Sequence, residues 1–300
     1  MVLLVAVSAR EDGTRASQPA APRIFAPILP TDSDQQKVAL GRDLFFDPRL
    51  SQSKQMNCAS CHDLTTNGAT NSALDRGDSG QPMEFNTPTL FNSAYNFRFG
   101  WAGKNRTMRA QVLSSLRNGL NGADGLAAQR LAADPAMLRR FRAIYRSDPT
   151  ESNVVDALSA FVVTLVTPDS PFDRWLKGDA RALTSQQQRG YMQFEKLGCA
   201  NCHQGRNIGA NVIGRRGVFN PLGNPNPPYL RVPSLRNVAV TAPYFHDGSG
   251  TTLRSAIRQM ARAQLDIAIS DNDLRDIVAF LGSLTGTYEG VRLQPAIKNE

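Results

Sequence analysis

Apolar side chains recur at helical spacing in several stretches of the chain, separated by segments rich in Pro, Gly, Asn and Thr. The first stretch opens after the cap cluster Thr31-Asp32-Ser33-Asp34, places Val38, Gly41, Leu44 and Phe45 on one stripe, and ends at Asp47-Pro48. The spacing predicts further helices near 107–118, 124–133, 135–146 and 152–166, the last with Val155, Leu158, Phe161 and Leu165 inward and a stop at Pro168. A capping box at Thr184 and Gln187 opens another, through Tyr191, Phe194 and Leu197 to Gly198. Two more close the chain, at 251–262 and at 271–284, where Ser270 caps and Leu274, Ile277, Val278 and Leu281 face inward. Strand alternation is nearly absent, so the fold is mainly α. Residues 11–30, rich in Ala, Pro and Ser, read as a flexible leader; Thr167-Pro-Asp-Ser-Pro171 reads as an interdomain linker; the Gly-, Pro- and Asn-rich stretch 204–250 reads as loop.

Three hundred residues favour two domains. A hydrophobic fraction of 41% with 20% charged residues excludes disordered and collagen-like chains. No apolar run reaches the roughly 18 residues of a membrane span, so none is expected.

The chain has four Cys and three His, and all four Cys and two His fall in Cys58-Ala-Ser-Cys61-His62 and Cys199-Ala-Asn-Cys202-His203. CxxC followed at once by His is the signature of covalent c-type haem attachment: two thiols on one turn meet the two vinyl groups of one porphyrin, and the adjacent His lies under the iron. A zinc site would need both CxxC units together, and their separation of 199 − 58 = 141 residues, far beyond zinc-ribbon spacing, argues against it. No βαβ pattern supports a thioredoxin-like dithiol, and no Cys is left for a disulfide. Helix, CxxCH, loop and terminal helix occur in that order twice, which predicts an internal duplication of a cytochrome c-like domain. The expected division is a leader or remnant signal segment at 1–30, a first domain at 31–167 and a second at 168–300, each with one haem c. Haem attachment outside the bacterial cytoplasmic membrane implies a periplasmic protein; the short apolar run Met1–Val7 reads either as the tail of a signal peptide or as a leader.

Thirty-four basic against 26 acidic residues give a formal charge of +8. The Arg residues are scattered rather than clustered with aromatics, which argues against nucleic acid. Several are expected to turn inward to haem propionates, and a mildly basic face would steer an acidic redox partner.

The sixth iron position must be filled by elimination. In the second domain Met260 lies 260 − 203 = 57 residues after His203, and Met192, on the helix ahead of the motif, reads as core. A His/Met iron has a raised potential suited to accepting electrons. For the first haem Met83, Met108 and Met137 are available, but Met108 and Met137 fall on amphipathic helices and read as core, so the sixth position is expected to be open or water-bound.

Lys37-Val-Ala-Leu-Gly-Arg-Asp-Leu-Phe-Phe-Asp-Pro-Arg-Leu50, both haem motifs, Asn86-Thr-Pro-Thr89, Val232-Pro-Ser-Leu-Arg-Asn237, Thr241-Ala-Pro-Tyr-Phe-His-Asp-Gly-Ser249 and Asp276-Ile-Val-Ala-Phe-Leu281 resemble the bacterial dihaem cytochrome c peroxidases, a family that includes the enzyme maturing methylamine dehydrogenase. The resemblance runs from about residue 24 to 288. It implies a peroxidatic first haem and an electron-entry second haem, with Met260 at the distal ligand position, which is Tyr in the maturing enzyme. It further implies Trp101 as a relay between the haems and a calcium ion held by Asn86, Thr241 and Pro243. His246 is assigned no role in the chemistry.

Two departures from the family pattern stand out. The loop Leu74–Glu84 lacks the His that blocks the peroxidatic iron in many relatives, so the first haem is expected to be open without reductive activation. The family places Gln ten residues after the bridging Trp and Glu ten later; Gln111 is present, but Asn121 stands for the Glu that moves the proton between the peroxide oxygens. Asp124 is the candidate substitute, and Trp101-Ala-Gly-Lys104 replaces the usual Trp-Asp-Gly-Arg. The expected function is reduction of hydrogen peroxide with electrons from a small cytochrome c or cupredoxin. The alternatives are an oxidase modifying aromatic residues of a partner protein and a non-enzymatic dihaem carrier or sensor. The resemblance also admits a homodimer.

Overall fold

The computed structural model describes residues 24–122 and 125–296. Their helices form two successive modules: α1 (Gln35–Phe45), α2 (Met108–Asn118), α3 (Leu126–Ala132), α4 (Pro135–Tyr145) and α5 (Glu151–Val162), then α6 (Pro171–Leu176), α7 (Ser185–Lys196), α8 (Leu253–Leu265) and α9 (Asp271–Gly282). Every helix but α3 opens with a side-chain cap: Asp34, Thr107, Asp134, Thr150, Ser170, Thr184, Thr252 and Ser270 each accept from backbone N–H groups of the first turn.

The helices expected from periodicity are present, with four corrections to the reading. Helix α5 stops at Val162 rather than 166, and the Thr164 hydroxyl donates to the Phe161 carbonyl at 2.7 Å. The linker is no flexible joint: Thr167 and Ser170 are 2% and 1% exposed, and a capping box of Ser170 with Asp173 starts α6, a helix too short for periodicity to reveal. Two short antiparallel ribbons appear, β1 (Ile213–Arg215) with β2 (Tyr229–Arg231), and β3 (Thr287–Tyr288) with β4 (Val291–Arg292). The fourth correction concerns the leader. Residues 24–30 are packed, with Phe25 and Ile28 buried, while residues 1–23 lie outside the described structure.

Each module is built on one close helix crossing. A Cβ placed on Gly41 would stand 2.0 Å from the Ala157 carbonyl oxygen and 2.8 Å from Phe161 Cβ; one on Gly190 would stand 1.9 Å from the Asp276 oxygen and 2.8 Å from Phe280 Cβ. Only Gly permits α1 to lie on α5, and α7 on α9, at this separation. Apolar cores form around each crossing, with Leu40, Leu44, Phe141, Leu158 and Phe161 in the first and Phe172, Phe194, Ile277 and Phe280 in the second.

The two ends of the chain cross between modules. Phe25 joins the core of the second module, edge-on to Phe172 at 5.7 Å, and Ile28 N donates to Asp173 at 3.0 Å. At the other end Leu293 is buried in the core of the first module and Tyr288 packs on Phe91 at 4.9 Å. Between them the amides of Asn92 and Asn237 meet on the Thr167 hydroxyl, Asn92 Nδ2 at 2.8 Å and Asn237 Nδ2 at 3.0 Å. Both Asn residues adopt left-handed backbone, φ 64° and 63°, and each precedes a single helical turn, Ser93–Tyr95 and Val238–Val240.

Candidate haem sites and the junction between them

Both CxxCH motifs begin in one tight turn, Cys58–Ser60 and Cys199–Asn201, with the His amide returning to the first Cys carbonyl at 3.0 Å in each. Asn57 and Ser60 cap the first reciprocally, and Gly198 at φ 87° leads into the second. The four Cys form no disulfide. Burial pushes Cys58 up to about 12, and both Cys61 and Cys199 to about 11, with the Asp75 charge adding to burial at Cys61. These surroundings do not favour the thiolate, unlike those of the activated cysteine of a redox dithiol.

The two motif imidazoles differ in how they are held. His62 Nδ1 meets the Gly68 carbonyl at 3.1 Å, which fixes the tautomer and leaves Nε2 to coordinate. Burial pushes the His62 imidazole below its usual range. His203 is buried; burial takes it down to about 4 while the carbonyls of Ile208 and Pro233 oppose the shift. A Cβ on Gly209, at φ 126°, would stand 2.2 Å from the Pro233 carbonyl and 3.3 Å from His203 Nδ1, so the chain here is cut to the imidazole. Burial thus favours the neutral form of both imidazoles, the form that can coordinate a metal.

Met260 is half-buried on α8, a helix of the second module alone. Met192, read as core, is 57% exposed and corrected to a surface residue. Met137 is buried in the first core as expected, Met108 is half-buried on the first residue of α2, and Met83 is half-buried with its sulfur over Gly77.

Trp101 lies where the modules meet. Its Nε1 donates to the Asn86 carbonyl at 2.8 Å, its own carbonyl accepts from Arg231 N at 2.8 Å, and its ring lies edge-on to His246 at 6.3 Å. Gln111 on α2 accepts from Asn105 Nδ2 at 3.0 Å and donates to Ser115 at 3.2 Å; a Cβ on Gly100, beside Trp101, would stand 3.4 Å from its oxygen. Asn121 is exposed, with its amide donating to Gln52 at 2.5 Å. Asp124 lies outside the described residues.

Asn86 is buried and spends both amide hydrogens on the carbonyls of Ser72 and Ala73, at 3.0 Å each, which turns Oδ1 away from them. Its backbone N donates to the His246 carbonyl at 2.8 Å, so Asn86 is tied to the loop containing Thr241 and Pro243. No cluster of three His, Cys, Asp or Glu able to hold a metal occurs among the described residues.

One residue escaped the sequence reading. Arg231 is 4% exposed and burial lowers it to about 10; its Nε reaches only the Gly100 carbonyl, at 3.3 Å, and among the described residues it forms no ion pair. A buried guanidinium without a carboxylate is costly unless an anion arrives, and a haem propionate is the anion a haem protein supplies. Nothing in its sequence context separates it from the other Arg.

The family model for di-haem cytochrome c peroxidase matches residues 35–181. The chain is 39% identical over 281 residues to the cytochrome c peroxidase Ccp of Escherichia coli strain K12, covering 87% of this chain and 60% of that protein. It is 35% identical over 283 residues to the cytochrome c551 peroxidase of Nitrosomonas europaea, covering 89% and 84%. This chain belongs to the di-haem cytochrome c peroxidase family. Among solved structures, a MauG-like protein associated with microbial copper homeostasis superposes with a TM-score of 0.74 at 26% identity, covering 90% of this chain and 95% of that one. The mainly helical fold is therefore that of the family, and the chain spans less than two thirds of the Escherichia coli relative.

Proposed function

We propose that this protein is a periplasmic di-haem peroxidase that reduces hydrogen peroxide to two waters, taking up two protons and two electrons from a small cytochrome c or cupredoxin. What supports the reading is the pair of CxxCH turns, each followed by an imidazole that burial shifts toward the neutral form, the first also held through Nδ1 by the Gly68 carbonyl. Cys58, Cys61 and His62 would hold the first haem c, Cys199, Cys202, His203 and Met260 the second, with Arg231 meeting a propionate. The haems, when bound, would supply one-electron redox chemistry, with peroxide reduced at the first. Around them the chain's own groups do the rest. Gln111, anchored by Asn105 and Ser115, orients peroxide, and Asp124 carries the proton that Asn121 cannot. Trp101, fixed by Asn86, couples the modules. Asn86 Oδ1 and the carbonyls of Thr241 and Pro243 are oxygens suited to calcium. No helix among the described residues is long and apolar enough to cross a membrane.

Stopped-flow mixing of the holoprotein with peroxide, with and without reduced cytochrome c, tests the reading. Rapid donor oxidation is expected. A long-lived oxidised species without donor use would favour a partner-modifying oxidase, the reading that Asn121 in place of a carboxylic acid supports, and no reaction would leave an electron carrier or sensor. Asp124→Asn is expected to cut turnover by about 100-fold or more. Met260→Ala is expected to remove the sulfur-to-iron absorption of the second haem and to slow donor oxidation at least tenfold.

A further inference from the structure

The segment between the first haem motif and α2 contains a buried carboxylate. Asp75 is 9% exposed and accepts from the Thr70 hydroxyl, at 2.8 and 2.9 Å to its two oxygens, and from the Thr87 hydroxyl. Among the described residues it has no ion-pair partner. Its two donors come from the two segments that matter for the junction. Thr70 is two residues beyond Gly68, whose carbonyl holds His62 Nδ1, and Thr87 adjoins Asn86, whose carbonyl holds the Trp101 indole. The Asp75 charge also reaches His62, where it opposes the effect of burial, and Cys61, where it adds to burial. At His203 only burial and two backbone carbonyls act, with no carboxylate.

We propose that Asp75 is a positioning residue of the first haem site alone, a fixed negative charge that lowers the reduction potential of the iron held by His62. A buried anion favours the more positive, oxidised state of a nearby metal, and the low local dielectric keeps its field from being screened. Charge near the ligand is one of the means by which a protein sets a haem potential. Met260 raises the second site and Asp75 lowers the first, so the two irons are separated from both sides. The inference rests on the reading that His62 binds a haem.

The test is a spectroelectrochemical titration of the holoprotein. In Asp75→Asn the reduced-to-oxidised ratio of the first haem at fixed applied potential should rise about tenfold, equivalent to ~59 mV for a one-electron couple, with the second haem unmoved. Asp75→Glu keeps the charge and should stay close to the parent, and it keeps the proposal testable should the Asn variant not fold. An unmoved first haem in Asp75→Asn, equal shifts in both haems, or a rise in Asp75→Glu as large as in Asp75→Asn would each overturn it. A protein isolated with no haem on Cys58 and Cys61 would instead sink the reading beneath it, which the absorption spectrum reports separately.

Discussion

The two modules share a skeleton and differ around it. Gly41 over Ala157 and Phe161 repeats as Gly190 over Asp276 and Phe280, with would-be Cβ clearances of 2.0 and 1.9 Å. A cation on the first helix of each pair clasps a carboxylate on the second, Lys37 with Asp156 at 2.8 Å and Arg189 with Asp276 at 2.9 Å. What differs is the set of residues each module adds around that skeleton. The second module offers α8 with Met260, while the first offers three helices, Gln111 and a Thr-rich segment built around Asp75. The two modules thus share the helix crossing and differ in the residues around their motifs.

The largest test of this division is His62→Gly. It should abolish peroxide turnover while the second haem retains its absorption and potential; residual turnover above a tenth of the parent would mean that the second module also reacts with peroxide. Next in size is the Arg236–Asp173 pair, 2.8 Å apart and 1% and 0% exposed, which has no counterpart among the described residues of the first module. Asp173→Asn leaves the guanidinium buried and uncompensated, and chemical denaturation should show a loss of about 3–5 kcal/mol. Gly41→Ala and Gly190→Ala overpack equivalent crossings and should each cost ~1–3 kcal/mol. Calorimetry would sharpen the comparison if one variant lost far more than the other, since the crossings would then not be equivalent.

The smallest effect is Asp156→Asn, below about 1 kcal/mol because the pair is partly exposed. Although burial pushes the Asp156 carboxyl up, Lys37, Tyr145 and Arg109 together hold it below its ordinary range. Its folded-state pKa is therefore below the unfolded value of 3.8, so its stabilisation is complete above that value and fades as pH falls through the folded pKa. Melting curves at pH 6 and pH 3 should accordingly converge slightly in the variant.

Much of this was legible in the chain. Caps such as Thr184 and Ser270 announce helices through local hydrogen bonds, and CxxCH announces haem because covalent attachment demands fixed spacing. The remainder depends on tertiary contact. Phe25 sits in an Ala- and Pro-rich stretch without periodicity, so its place in the far core carries no local signal. Gly41 reads as one more member of an apolar stripe until Ala157 is seen against it. Arg231 and Asp75 look like ordinary surface charges, and only burial without a matching partner marks them.

The exchange of chain ends has a mechanical consequence. A nick near Thr167 would not free the modules, because Phe25 would still be lodged in one and Leu293 in the other. Each fragment would carry a stretch that completes its neighbour, so the halves would separate only by unfolding. The separation of the two CxxCH motifs is thus set by a double latch, and it should be the same in a cleaved chain as in an intact one.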